Sequence, residues 1–164
     1  MTPVISIVGK SDAGKTTLIE KLIVELKQRG YRVATIKHDA HQFDIDHPGK
    51  DSHRHFHAGA DWTVIGSPAK LALVRRLDRE LTLDELAALI SDVDVILTEG
   101  YKREARCRIE VSRRVRTTEL ICQPDELFAL AADYPIELGV PVYDLNDAVG
   151  LVDLIERVLL KPNG

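Results

Sequence analysis

The residues with the most specific chemistry lie near the amino terminus, between an apolar segment and an amphipathic one. They match the pattern G-x-x-x-x-G-K-[ST] and are Gly9, Lys10, Ser11, Asp12, Ala13, Gly14, Lys15 and Thr16. Glycines at both ends permit backbone angles that turn N–H groups toward phosphate oxygens. Lys15 can reach the β- and γ-phosphates, and the Thr16 hydroxyl is a ligand for Mg²⁺. Because the motif falls between a predicted strand and a predicted helix, it predicts a nucleoside triphosphate site.

Two carboxylates follow predicted strands and are candidate partners for the metal. Asp39 comes just after the second strand, and Glu99 ends the apolar strand 93–98. Ligands of open α/β sheets bind beyond the carboxyl ends of strands, so both acids are predicted beside the phosphate loop. Carboxylate oxygens suit Mg²⁺, which leaves most of its shell to water and phosphate. Asp94, at the opposite end of the same strand, is predicted to be structural.

Lys10 and the histidines leave alternatives open. A lysine after the first glycine is either a solvated loop residue or the phosphate-reaching lysine of deviant Walker A ATPases. A ligand-facing polar loop, an inert surface or a transition-metal site would each explain the clustering of the histidines. All six lie within twenty residues, and they are His38, His41, His47, His53, His55 and His57.

Alternating strands and helices must position these residues. An apolar strand at Val4–Val8, a helix from Lys15 that ends near Gly30, and a strand at 31–36 form a βαβ unit, which favours a parallel sheet. Further along we predict helices at 51–60, from Thr82 and at 148–160, and a hairpin of 62–65 with 71–74. The segment Thr82–Glu85 has the capping-box pattern that opens a helix. Strands are predicted at 93–98, 107–111, 128–131 and 140–145. The apolar face of the last helix is predicted to consist of Leu151, Leu154, Ile155 and Val158.

Composition limits the class of protein. With 164 residues, 45% hydrophobic, the chain suits one globular domain spanning residues 1–164. A net charge of −4 argues against a broad nucleic-acid-binding face. Two cysteines favour a reducing, cytoplasmic setting, and no apolar run reaches the roughly 18–20 residues of a membrane span.

Four segments resemble the MobB family, the molybdopterin-guanine dinucleotide biosynthesis protein B. The segments are GKSDAGKTTL, KHDAHQFDIDHPGKDSHRHFHAGA, DVILTEGYK and PVYDLND. The resemblance extends from Val4 to about Ile155, and the second segment makes it specific. It implies an α/β fold of the three-layer P-loop NTPase type, with a mostly parallel central sheet. This SIMIBI-like class includes the urease and hydrogenase nickel-insertion GTPases.

The resemblance also implies a function. Family members are dimers with weak GTPase activity that assist the guanylyltransferase (MobA-type) attaching GMP to molybdopterin. The implied cofactors are GTP and Mg²⁺, and the implied partners are the guanylyltransferase, molybdopterin and a second copy of the chain. By motif matching, Lys15, Asp39 and Glu99 fall on catalytic positions and Thr16, Asp39 and Glu99 on metal positions. The nucleotide-binding positions are Gly9, Lys10, Ser11, Asp12, Ala13, Gly14, Lys15, Thr16 and Thr17.

The chain departs from other GTPases in lacking an Asn-Lys-x-Asp guanine motif. Asp133, after the predicted strand 128–131, and Asp144, in the Asp-Leu-Asn-Asp segment, are candidate guanine-binding residues, although Asx residues after strands more often make turns. The stretch from Lys102 to Arg116 is basic. Three of its arginines, Arg103, Arg106 and Arg108, could act across a dimer or hold a pterin phosphate, or the stretch could be a solvated face. Two other classes stay open: a small-molecule kinase or ATP-dependent ligase, and a nickel or zinc metallochaperone GTPase.

Overall fold

The computed structural model describes residues 2–39, 43–102, 104 and 107–160. The chain divides into two compact units. The first comprises Met1–His38 with Thr82–Gly164, and the second is Asp39–Leu81. In chain order the elements are β1 (Val4–Val8), α1 (Lys15–Gln28), β2 (Val33–Lys37), α2 (Asp51–His57), β3 (Trp62–Gly66), β4 (Leu71–Arg75), α3 (Leu83–Ala88), β5 (Val95–Glu99), β6 (Arg108–Ser112), a 3₁₀ turn (Pro124–Glu126), β7 (Ala129–Ala132), β8 (Val142–Tyr143) and α4 (Ala148–Leu159).

The first unit contains a six-stranded sheet in the order β2-β5-β1-β6-β7-β8. Every neighbouring pair is parallel, which confirms the predicted parallel sheet. Ile7 lies opposite both Glu99 of β5 and Ile109 of β6. Within the buried sheet, the hydroxyls of Ser6 and Thr98 lie opposite each other and form a 2.6 Å hydrogen bond. The carboxyl ends of β1, β5 and β6 therefore share one edge.

Helices α1 and α4 pack together against this sheet. Leu18, Leu22 and Leu26 recur at helical spacing along α1 and are buried. Each such side chain contributes about 1.5–3 kcal/mol when it leaves water. The prediction for α4 was wrong at Val158, which is 55% exposed. Val152 is buried instead, so the apolar face of α4 is turned toward it.

Strand β8 is shorter than the predicted segment 140–145. Pro141 precedes it and has no N–H to donate to the ladder, although its carbonyl accepts from Leu130 at 2.9 Å. After it, the Asp144 carboxylate accepts the N–H of Asn146 at 2.8 Å, which starts a turn. Pairing is therefore confined to Val142–Tyr143.

The second unit contains α2 and the antiparallel hairpin of β3 and β4, which confirms the predicted hairpin. Trp62 lies opposite Arg75, whose guanidinium is 4.6 Å from the indole centroid. Helix α2 ends at His57, earlier than predicted, where Ala58 donates to the Arg54 carbonyl at 2.9 Å. In the described part of the chain, no helix has the length and apolarity needed to cross a membrane.

Candidate functional site

The phosphate loop joins β1 to α1 and has the backbone that its glycines permit. Gly9 has φ 147°, Asp12 φ 58° and Gly14 φ 101°. A Cβ on Gly9 would lie 2.5 Å from the carbonyl oxygen of Val111 in β6, so this position excludes side chains. Helix α1 begins directly after Gly14 and has no acidic residue in its first turn. Its N-terminal N–H groups therefore offer partial positive charge to an anion at the loop.

The two lysines of the loop have different partners. The Lys15 ammonium donates to the Lys10 carbonyl at 2.9 Å and so lies across the loop. Lys10 makes a 2.7 Å ion pair with Glu119, and this hydrogen bond holds the pKa of the Glu119 carboxyl below its usual value. The Glu119 side chain is 82% exposed. This surface pair agrees better with a loop lysine than with a phosphate-reaching one.

Thr16 and Glu99 come together at the carboxyl edge of the sheet. The Thr16 hydroxyl lies 3.0 Å from each carboxylate oxygen of Glu99. The backbone holds Glu99 in place, because its carbonyl accepts the N–H of His38 at 3.0 Å and Gly100 donates to the Ile7 carbonyl at 3.2 Å. Two hard oxygen donors beside a phosphate-binding loop fit the preferences of Mg²⁺.

Asp39, the other predicted acid, is the first residue of the second unit and is exposed. It directly follows His38, whose ring meets that of Tyr101 edge-on at 5.0 Å between centroids. The role of Asp39 at a metal stays a prediction.

The candidate guanine-binding residues both accept a backbone hydrogen bond, Asp133 from a distant loop and Asp144 within a turn. Asp133 follows β7 and accepts the N–H of Arg114 at 2.7 Å. Asp144 follows β8 and accepts from Asn146, whose side-chain oxygen in turn accepts from Lys21 at 2.6 Å. Each carboxylate has a second oxygen that can accept a hydrogen bond from a guanine base. Guanine binding by either residue therefore stays a prediction.

Within the second unit, a groove of about 650 Å³ contains part of the histidine cluster. The rings of His53 and His57, one turn apart on α2, lie 4.0 Å apart between centroids. The Arg76 guanidinium lies 4.2 Å from the centroid of Phe56, which also lines this groove. His41 is outside the described residues. Among those described, no group of three or more His, Cys, Asp or Glu side chains could hold a metal ion, so the metal-site interpretation gains no support.

The basic stretch is described only in part. Arg103 and Arg106 lie outside the described residues. Arg108 forms a 3.1 Å ion pair with Glu126 and so has a partner within the fold. Asp94 pairs with Arg32 at 3.3 Å, which confirms its predicted structural role.

Sequence reasoning recognised the stretch 102–116 as basic but missed that the residues after β6 lie beside the phosphate loop. Arg116 pairs with Asp12 of the loop at 3.5 Å, and the Arg113 guanidinium lies beside Gly14. No local pattern indicates these contacts, because the place of β6 beside β1 is known only from the strand order. Glu110, within β6, is only 1% exposed and accepts the N–H groups of Ile121 and Cys122.

Comparison with known proteins agrees with this geometry. The family model described as "Molybdopterin guanine dinucleotide synthesis protein B" (MobB) matches residues 4–133. The molybdopterin-guanine dinucleotide biosynthesis adapter protein of Escherichia coli K12 is 39% identical over 171 residues, covering 100% of this chain and 97% of its own. The adapter protein of Haemophilus influenzae is 35% identical, covering 96% and 89%.

Solved structures extend the comparison to the fold. A crystal structure of molybdopterin-guanine biosynthesis protein B superposes with a TM-score of 0.75 at 31% identity, covering 95% of this chain and 98% of the other. A MobB homologue from Bacillus stearothermophilus gives a TM-score of 0.69 at 27% identity, covering 94% and 98%. The family model matches most of the chain and both sequence relatives exceed 30% identity, so the chain belongs to the MobB family.

Proposed function

We propose that this chain is a GTP-binding adapter protein in the synthesis of molybdopterin guanine dinucleotide, with a slow GTPase activity. The observation that carries the nucleotide part is the pairing of Thr16 with Glu99 directly beside the phosphate loop. The pathway is supported by family membership and by the adapter proteins to which the chain is similar.

In this proposal, different groups of the loop bind the phosphates and the metal ion. Backbone N–H groups of the loop and of the first turn of α1 donate to phosphate oxygens. Lys15 exchanges its hydrogen bond with the Lys10 carbonyl for one with a phosphate oxygen, a change that needs only a side-chain rotation. Thr16 and Glu99 hold Mg²⁺. The metal-side role of Asp39 is supported by the family resemblance and by its place after β2. The bound ion supplies positive charge that offsets the charge developing on the phosphates.

Slow hydrolysis is the expected behaviour of this arrangement alone. Glu99 and Asp39 are metal-side residues in the proposal, so neither neutralises the charge of the transition state as an arginine does. An arginine supplied by a partner raises the rate of such GTPases by about 10³–10⁵. A guanylyltransferase or the second protomer of a homodimer is the proposed source.

The hairpin of the second unit supports the homodimer. On one face of β3–β4 the apolar side chains are exposed, namely Trp62 (48%), Val64 (57%), Leu71 (70%) and Leu73 (51%). A two-stranded hairpin is marginally stable by itself, so an apolar face of this kind gains from a partner. The proposed occupant is a second copy of the chain. Sedimentation equilibrium of the wild type and of Leu73→Asp tests this, with a shift from dimer to monomer expected.

Calorimetric titration of the tag-free protein tests the nucleotide. GTP and ATP are each titrated with and without Mg²⁺, and we expect preference for GTP and tighter binding with the metal. Lys15→Ala should abolish measurable triphosphate binding, because Lys15 is the loop cation proposed to bind a phosphate oxygen. Lys27→Ala is the matched control: it removes the same charge from the same helix, about 18 Å along its axis.

Two results would refute the proposal. Unchanged GTP affinity in Lys15→Ala would remove the assigned site. A clear preference for ATP would favour the kinase or ligase alternative, for which phosphoryl transfer from labelled ATP to a small acceptor is the next measurement.

A further inference from the structure

Arg113 lies beside the phosphate loop and follows β6, which is on the other side of β1 from the strand that carries Glu99. It is the first residue after β6, and its Nη2 lies 3.4 Å from the position that a Cβ on Gly14 would occupy. Its Cζ lies 3.8 Å from the same position, so the guanidinium borders the backbone where α1 begins. The backbone of Arg113 is held by a turn, since its carbonyl accepts the N–H groups of Arg116 at 2.9 Å and Thr117 at 3.0 Å.

Two neighbouring cations have anionic partners, whereas Arg113 has none among the described residues. Lys10 pairs with Glu119, and Arg116 pairs with Asp12. Within the part of the chain that the structure describes, the Arg113 side chain makes no hydrogen bond or ion pair, although it is half-buried. A guanidinium in this situation has lost some hydration without gaining a partner, and its planar set of donors matches phosphate oxygens. An anion at the loop would satisfy it.

The order of strands indicates which phosphates it would meet. Strand β1 lies between β5, which carries Glu99, and β6, which leads into Arg113. The metal side of the nucleotide, with the β- and γ-phosphates, therefore faces β5. The candidate base-binding residues Asp133 and Asp144 follow β7 and β8, on the same side as Arg113.

From this placement we infer that Arg113 binds the α- and β-phosphates of the nucleotide and does not act on the γ-phosphate. The inference rests on the proposed function, because it takes the nucleotide to occupy the phosphate loop. It assigns the residue to ground-state binding of both the triphosphate and the diphosphate. A partner then supplies the group that neutralises the charge of the transition state.

Binding of GTP and GDP, together with single-turnover hydrolysis, tests this. Arg113→Ala should lower the affinities for GTP and for GDP by the same factor of about 10–100. This is the usual effect of losing a hydrogen bond to a charged group. The hydrolysis rate at saturating GTP should stay within about threefold of the wild-type rate, because an equal loss of binding energy in the ground state and the transition state leaves the rate unchanged. Arg113→Lys should recover part of the affinity, because lysine keeps the positive charge but lacks the planar set of N–H donors of a guanidinium. Arg114→Ala is the control: this exposed neighbour lies 6.0 Å from the Tyr134 ring.

The outcomes separate the inference from the proposed function. Wild-type affinity for both nucleotides in Arg113→Ala, with Lys15→Ala still defective, would overturn the role of Arg113 alone. A loss confined to GTP and to the hydrolysis rate would also overturn it, because that pattern places Arg113 at the γ-phosphate. A wild-type chain that binds neither nucleotide refutes the proposed function and this inference together. Unchanged thermal unfolding of the nucleotide-free variants ensures that a loss of affinity reports on contact, and Arg113→Gln replaces any variant that unfolds.

Discussion

Replacing the buried carboxylate of Glu110 by an amide should destabilise the protein and loosen the charged segment beside the phosphate loop. Glu110 is 1% exposed, and its two oxygens accept the N–H groups of Ile121 at 2.8 Å and Cys122 at 3.0 Å. In Glu110→Gln one oxygen becomes an NH₂ group, so one buried backbone N–H faces another donor. A buried donor without an acceptor costs about 1–3 kcal/mol, and the remaining hydrogen bond loses its ionic component.

The size of the expected shift follows from these contacts. We expect Glu110→Gln to lose about 2–3 kcal/mol of unfolding free energy, which corresponds to a fall in Tm of about 4–12 °C for a chain of this length. Urea denaturation followed by circular dichroism measures the free energy, with m unchanged if the effect is on the native state. Glu137→Gln, at an exposed position after β7, is the matched control.

The same variant should weaken GTP binding modestly. Glu110 anchors the end of the segment that carries Glu119, the partner of Lys10. A Glu110→Gln protein with the wild-type midpoint in urea would refute the reasoning, because it would show that the buried carboxylate contributes no net stability. Loss of GTP affinity at full stability would instead mean that the residue acts on the nucleotide itself.

Other consequences of the structure can be measured directly. Gly9→Ala should lose GTP binding in calorimetry, because its Cβ would lie 2.5 Å from the Val111 carbonyl; normal affinity would mean that the loop tolerates a shift of β6. The hydrogen bond from Arg32 lowers the pKa of Asp94, so the pair stabilises the fold above the ordinary pKa of about 3.9 and ceases to do so as the pH falls through the lower folded value. The Tm difference between wild type and Asp94→Asn should therefore narrow as the pH falls below 4 and be constant near neutrality. Burial, followed by the charge of a nearby glutamate, raises the pKa of Cys122 to about 11, so its thiol should react slowly with Ellman's reagent at pH 8 until the protein is unfolded.

Local patterns predicted the parts of the structure that depend on neighbours in sequence. The phosphate motif, the βαβ unit and the Thr82–Glu85 capping box are all short-range features, and the capping box is formed by reciprocal hydrogen bonds as its spacing predicts. Glu99 was predicted beside the loop because parallel strands share one carboxyl edge, and its contact with Thr16 agrees with that rule.

Contacts between distant segments could not be predicted in the same way. Lys10 meets Glu119 across 109 positions, and nothing in either local pattern indicates the pairing. Arg113 follows a strand whose place beside β1 is known only once the strand order is known. The exposed position of Val158 likewise depends on how α4 is rotated against α1 and the sheet, which hydropathy along a single helix does not determine.

The hydroxyl pair of Ser6 and Thr98 determines the position of the neighbouring carboxylate. If β5 slipped by one residue so that Ser6 came opposite Leu97, Thr98 would come opposite Ile7, and each hydroxyl left unsatisfied would cost about 1–3 kcal/mol. The same slip would carry Glu99 about 3.3 Å along the strand and turn its side chain to the other face of the sheet, away from Thr16. Two small polar side chains in the core thus help to fix the strand register on which the contact between Glu99 and Thr16 depends.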